Sequence, residues 1–160
     1  MRLRWLIALS FLCLSAMTAA VAAPHHLGRG DWLRVIAPHK GHPTIVHFWA
    51  QTCGPCLAEL KEWGKLHRQH PEIHLILVQS DPLPDADDPE AAKLLADAGL
   101  KGVESWLLND LFDEKMRAEV NPDWNGELPL TILVDRRQNT TMKIGDSNFG
   151  PILAWIKQNT

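Results

Sequence analysis

Cysteine is scarce in this chain, which has only three among its 160 residues: Cys13, Cys53 and Cys56. Cys13 lies in an N-terminal stretch that we expect to be removed, which leaves the pair Cys53 and Cys56. A pair three residues apart closes a very short loop, so it adds little as a structural staple. It also supplies at most half of the four ligands of a structural zinc site. A catalytic redox pair is the interpretation we favour.

An excess of positive charge is also lacking. The whole chain carries a formal net charge of −3. All 19 acidic residues but only 14 of the 16 basic ones follow residue 23, so the remainder carries −5. This balance argues against a nucleic-acid partner. The chain has no internal repeat, and its length suits one domain rather than two.

The first 23 residues have the pattern of a secretory signal peptide. Arg2 and Arg4 give a short basic start, residues 5–23 carry no charge, and the stretch ends in small residues. Cleavage after Ala22 or Ala23 fits this pattern. The alternative is an uncleaved anchor, because 19 uncharged residues approach the ~20 needed to span a bilayer. We expect residues 24–160 to form one periplasmic or otherwise exported domain, attached to the inner membrane only if the leader stays.

Hydrophobic patterns predict an alternation of strands and helices. Residues 24–30 read as a flexible lead-in, and residues 80–89 as a polar loop. The predicted strands are 44–49, 73–79, 103–108, 130–134 and 140–144, and the predicted helices are 32–36, 53–70, 90–98, 110–120 and 149–158. This order predicts an α/β fold with a central mixed β-sheet flanked by helices. The cysteine pair then lies between the first strand and the next helix, where open α/β sheets place their chemistry.

The first cysteine of the pair is predicted to begin a helix. Backbone N–H groups and the helix dipole favour negative charge at that position. A thiolate stabilised there attacks other disulfides. The intervening Gly54 and Pro55 suit a tight helix start, since proline fixes φ and lacks a donor that the first turn would leave unused.

Several motifs together resemble the thioredoxin superfamily. They are FWA at 48–50, CGPC at 53–56 and LPLT at 128–131, the last directly before a predicted hairpin. The leader, Glu59 and LVD at 133–135 are similar to the exported TlpA-like branch. The resemblance covers residues 43–160, apart from a non-diagnostic insert over residues 80–120. It implies a thioredoxin-like fold.

The resemblance also implies roles for individual residues. Cys53 is expected to be the exposed nucleophile and Cys56 the buried resolving thiol. Pro129 is expected to be cis, with an ordinary trans proline at a strand start as the alternative. Trp124, in the loop before Pro129, lines the substrate groove or serves as a packing anchor. The expected substrate-binding residues are Trp49, Gly54, Pro55, Leu128, Pro129 and Trp124.

Two residues are candidates for proton handling. Glu59 lies six residues after Cys53, and in TlpA-like proteins an acid there is linked to thiol protonation. The alternative is an ordinary solvated helix carboxylate. His47 stands where thioredoxin has a buried acid, so it is a possible proton relay. A neutral buried histidine with one hydrogen bond is the interpretation we favour.

The resemblance implies a protein thiol–disulfide oxidoreductase, most simply a disulfide reductase. The expected client is a disulfide-containing protein, the expected electron source is a membrane-bound thiol reductant, and no cofactor is expected. The alternative is a binding module for a client protein or copper, with a purely structural disulfide.

Four of the eight histidines are close together in the sequence: His25, His26, His39 and His42. If the mature chain began at Pro24, His26 would be its third residue and could hold Cu(II) in a square plane with backbone nitrogens. Solvated histidines are the interpretation we favour, so we expect no metal site.

Overall fold

The computed structural model describes residues 25–82 and 88–160. The expected leader with Cys13 and the middle of the predicted polar loop lie outside these residues. Among the helices of the described part, none is long and apolar enough to cross a membrane.

Within the described residues, six strands form one sheet in the order β1-β4-β3-β2-β5-β6. Strands β1 to β4 are parallel, while β5 is antiparallel to β2 and β6 is antiparallel to β5. The mixed sheet is therefore confirmed. The strands are β1 (His25–Leu27), β2 (Thr44–Trp49), β3 (His74–Gln79), β4 (Glu104–Leu108), β5 (Leu130–Val134) and β6 (Thr140–Ile144).

Helices pack on both faces of this sheet. Over the described residues they are α1 (Trp32–Ile36), α2 (Gly54–Gln69), α3 (Pro89–Asp97), α4 (Glu114–Val120) and α5 (Phe149–Asn159), with a 3-10 turn at Ala37–His39. Side chains of Asp88, Asp113 and Asn148 accept hydrogen bonds from the first turns of α3, α4 and α5. Such caps satisfy N–H groups that have no partner inside the helix, which sets where each helix begins.

Strand β2 runs through the centre of the molecule, and all six of its residues are buried. Val46 and Phe48 face the core that includes α1 and α4, whereas Ile45 and Trp49 face the core that includes α2 and α5. This alternation follows from the two-residue period of a strand. The end of β2 is thereby held rigidly between two hydrophobic layers.

Two sequence predictions were wrong in detail. The expected flexible lead-in contains β1, which pairs with β4 and has Leu27 fully buried in the core. Helix α4 begins at Glu114, four residues later than expected, because Asp113 caps it from an extended conformation.

Candidate functional site

The cysteine pair lies where β2 leads into α2. The N–H of Cys53 donates to the Ala50 carbonyl (3.1 Å), which closes the turn after the strand. Cys53 is the N-cap of α2, and the N–H of Cys56 donates to its Sγ (3.2 Å). The two cysteines form a disulfide. The sulfur of Cys53 therefore occupies the helix N-terminus, as expected.

The two cysteines differ in their access to solvent. Cys56 is completely buried, whereas Cys53 is half-buried and follows an exposed Thr52. Gly54 and Pro55, which separate them, are exposed. A substrate approaching this edge of the sheet meets Cys53 and not Cys56.

The loop before β5 reaches the same edge of the sheet. Strands β2 and β5 are antiparallel neighbours, with Phe48 opposite Leu130, so β5 begins where β2 ends. The Leu128–Pro129 peptide bond is cis, as expected. Leu128 is half-buried and packs against the same core cluster as Cys53. The Pro129 carbonyl accepts from the Gly145 N–H (2.9 Å), which ties this loop to the end of β6.

Two tryptophans proposed to bind substrate lie in the core instead. Trp49 is 1 % exposed and shares a core cluster with Cys56, so it supports the site from below. Trp124 is 2 % exposed and lies against Phe48, with ring centroids 5.0 Å apart. Its Nε1 donates to the Glu127 carbonyl (2.9 Å). The groove prediction for Trp124 was wrong, and its alternative as a packing anchor describes the structure.

His47 and Glu59 meet beneath the disulfide. Glu59 lies one helical turn after Cys56, so both side chains are on the same face of α2. Its Oε1 is 3.9 Å from Nε2 of His47. The other oxygen, Oε2, accepts from the Ser147 N–H (3.0 Å). Among the described residues, no hydrogen-bond partner is present for His47 Nε2 or Glu59 Oε1.

Burial acts on this pair in opposite directions. Complete burial lowers the pKa of His47 to about 3, since a buried imidazolium loses its hydration. Burial also raises the pKa of Glu59, while hydrogen bonds from Ser147 partly oppose the shift. His47 is therefore neutral, with one hydrogen bond between Nδ1 and Thr131 Oγ1 (3.1 Å), as we favoured. Glu59 is 8 % exposed, so the solvated-carboxylate alternative was wrong.

Comparison with known proteins supports the architecture. No family model matches the sequence. A DsbF homologue from Corynebacterium diphtheriae superimposes with a TM-score of 0.63 at 16% identity, covering 76% of this chain and 74% of that one. StoA from Bacillus subtilis gives a TM-score of 0.54 at 20% identity, over 74% and 85% of the two chains. The chain has the thioredoxin-like fold.

A secreted Mycobacterium tuberculosis disulfide oxidoreductase shares the thioredoxin-like fold. It has a TM-score of 0.58 at 14% identity, over 76% of this chain and 85% of that one. In sequence, 41 residues are 42% identical to sporulation thiol-disulfide oxidoreductase A of Bacillus subtilis. That match spans 26% of this chain and 25% of the relative's length.

Three contacts that support the site in this thioredoxin-like fold were not predicted. Asp81 accepts from the Gln51 N–H (2.8 Å) and so holds the turn before Cys53. Thr131 contacts His47, and Ser147 contacts Glu59. Asp81 could have been found, since it follows the parallel strand beside β2 and reaches the same edge. Ser147 lies in a loop far along the chain and has no local signal.

Proposed function

We propose that this chain is an exported thiol–disulfide oxidoreductase that reduces disulfides in a client protein. One observation carries the proposal. The sulfur of Cys53, a half-buried residue, caps α2 and is bonded to that of the fully buried Cys56. This asymmetry separates an attacking sulfur from a resolving one. A relative that is 42% identical over 41 residues is named a thiol-disulfide oxidoreductase, which supports the same chemistry.

The reaction proceeds by two exchanges between thiolates and disulfides. In the reduced protein the Cys53 thiolate attacks one sulfur of the client disulfide, forming a mixed disulfide and releasing the first client thiolate. The Cys56 thiolate then attacks the Cys53 sulfur, which re-forms the Cys53–Cys56 disulfide and releases the second client thiolate. Two electrons pass to the client, and its two thiolates take up protons.

The backbone around the sulfurs suits both exchanges. The N–H of Cys56 already points at the Cys53 sulfur, and it stabilises the thiolate there together with the helix dipole. Exposed Gly54 and Pro55, together with half-buried Leu128 of the opposing loop, form the surface that receives an extended client segment, whereas Pro129 itself is buried. Glu59, buried one turn below Cys56, accepts the proton that Cys56 must lose before it attacks.

The leader and the chemistry point to the same compartment. A basic start, an uncharged stretch and a small-residue end are the pattern of a secretory signal. A reductase working in an oxidising compartment needs a supply of electrons, since each cycle leaves its own disulfide closed. We assign that supply to a membrane-bound thiol reductant that reopens the Cys53–Cys56 disulfide.

Insulin-type disulfide reduction, driven by a small dithiol, tests the proposal. Wild type is expected to accelerate the reaction, and Cys53→Ser to abolish the acceleration. Cys56→Ser is expected to accumulate a mixed disulfide with the client, visible as a non-reducing gel shift. Equal rates for wild type and Cys53→Ser would refute the catalytic claim.

Redox titration separates an enzyme from a binding module. An enzyme disulfide equilibrates with glutathione or a similar couple, whereas structural disulfides have potentials below about −300 mV. A potential below that value, together with thiols that do not react in the folded state, would establish the binding module instead.

A further inference from the structure

A second cluster of chemically active side chains lies away from the disulfide. His39 comes from the 3-10 turn after α1, His74 begins β3 and Glu104 begins β4. One ligand atom from each of the three lies within 4.8 Å of the other two. Although His39 is close in sequence to His25, His26 and His42, the fold brings it to residues far along the chain. We call these three residues the His39–His74–Glu104 cluster.

We propose that the His39–His74–Glu104 cluster is a binding site for a divalent transition-metal ion, with Zn²⁺ as the best fit. Two imidazoles and one carboxylate form the donor set that zinc takes in three-ligand protein sites, with a fourth position left open. Hard cations such as Mg²⁺ prefer oxygen ligands, so this set disfavours them. The inference is independent of the redox function proposed above.

The spacing of the ligand atoms suits a tetrahedral ion. Zinc–ligand bonds of about 2.0–2.1 Å place neighbouring ligand atoms about 3.3 Å apart. In the structure, Glu104 Oε2 is 3.3 Å from His39 Nε2 and 2.8 Å from His74 Nε2. The two imidazole rings are stacked, with centroids 3.7 Å apart. Because the lone pair of an imidazole nitrogen lies in the plane of its ring, an entering ion replaces the contacts to Oε2 and requires the stacked rings to rotate until both Nε2 atoms face it.

The surrounding residues hold the carboxylate in a binding orientation. Trp106 Nε1 donates to Glu104 Oε1 (2.8 Å), which leaves Oε2 facing the two histidines. In metal sites, hydrogen-bond partners of this kind hold the metal-binding side chains in place and contribute about 10–100-fold to metal affinity. Glu104 pairs with Ile76 across β4 and β3, so His74, two residues earlier, lies on the same face of the sheet.

The cluster is open to solvent and distant from the disulfide. The side chains of His74 and Glu104 are 38% and 27% exposed, which leaves room for water as a fourth ligand. The cluster lies at the start of β3, whereas Cys53 follows the end of the neighbouring parallel strand β2. A strand of six residues spans about 20 Å, so the ion does not contact the sulfurs.

Isothermal titration of the oxidised, untagged protein with Zn²⁺ tests the proposal, since the closed disulfide removes both thiols as ligands. One ion per chain is expected, and excess Mg²⁺ is not expected to compete. Glu104→Gln keeps the shape of the side chain and removes its charge. Loss of a hydrogen bond that supports a metal ligand reduces metal affinity by about 10–100-fold. Loss of a ligand itself, in Glu104→Gln or His74→Ala, should therefore weaken Zn²⁺ binding by more than about tenfold.

His70→Ala is the matched control, because His70 contacts Glu72 in a pair without a second imidazole. It should bind Zn²⁺ as wild type does. If the site variants fail to fold, NMR on wild type replaces them: Zn²⁺ should shift the ring signals of His39 and His74 and leave those of His70 in place. Absence of binding by wild type, equal weakening in His70→Ala, or equal shifts of all three rings would each overturn the proposal.

Discussion

His47 and Glu59 show how one cause produces opposite results in two side chains. Burial penalises the charged form of each, so it lowers the pKa of the imidazole and raises the pKa of the carboxyl. Glu59 therefore titrates closer to neutrality than an exposed glutamate, while His47 stays neutral beside it. Of the two groups, the Glu59 carboxyl is the one whose pKa moves toward neutral pH, so it is the candidate proton acceptor.

Glu59→Gln tests the carboxyl as a proton acceptor. We expect the resolving step by Cys56 to slow by about 100-fold near neutral pH, the lower end of the usual contribution of a general base. The pH profile of the step should also lose one ionisation. Stopped-flow measurement of mixed-disulfide decay gives both quantities.

Glu62→Gln is the control for that measurement. Glu62 lies on the same helix, where it is half-exposed and pairs with Lys65. Its variant should keep the wild-type rate and profile. A Glu59→Gln profile that keeps the same ionisation would show that another group accepts the proton.

Helix α2 requires a glycine at position 64, and its sequence pattern does not predict this requirement. Gly64 lies within the helix, where glycine costs about 1 kcal/mol relative to alanine. The carbonyl oxygen of Ala98, which caps the end of α3, would lie 1.8 Å from a Cβ at this position. The glycine therefore permits the backbones of α2 and the end of α3 to approach closely. The spacing of apolar residues along α2 does not predict this contact.

Gly64→Ala is expected to destabilise the protein despite the better helix propensity of alanine. Overpacking against a backbone atom costs about 1–3 kcal/mol. Urea unfolding should show a lower midpoint with an unchanged slope. Gly54→Ala on the same helix is the control, because a Cβ there meets no atom of the described residues within 4 Å. Equal stability of Gly64→Ala and wild type would contradict the close approach.

Strands and helices were predicted well where a pattern is long, and poorly where it is short. Strand β2 was expected at residues 44–49 and occupies them, because five apolar or β-branched residues, interrupted only by His47, follow Pro43. Strand β1 has three residues, and its only buried side chain is Leu27. The strand forms because its backbone pairs with β4, so the local sequence does not predict it.

The stability of the whole molecule should depend on pH through His47. The pKa of His47 in the folded state, about 3, lies below the ordinary value of 6.5. Between these two pH values the unfolded state therefore binds a proton that the folded state does not bind. This contribution to stability is present above about pH 6.5 and declines by about 1.4 kcal/mol per pH unit below it. The raised pKa of Glu59 acts in the opposite direction between its ordinary and folded values.

Comparison of wild type with His47→Gln isolates the histidine. Urea unfolding at about pH 5.5 and about pH 7.5 should show a loss near 1.4 kcal/mol in wild type that the variant lacks. His70→Gln, at a half-buried surface position, should keep the wild-type dependence. Parallel pH dependence in wild type and His47→Gln would mean that the imidazole is protonated in the folded state.

Apart from β1, the succession of strands and helices along the chain, and the position of the cysteine pair between β2 and α2, could be derived from residues that are neighbours in the sequence. Periodicity, capping residues and the CGPC motif act over a few residues, so they can be interpreted without knowledge of the fold. The contacts of His47 with Glu59 and of His39 with His74 and Glu104 are different in kind. They join separate elements and depend on strand order and register, which set which distant side chains face one another.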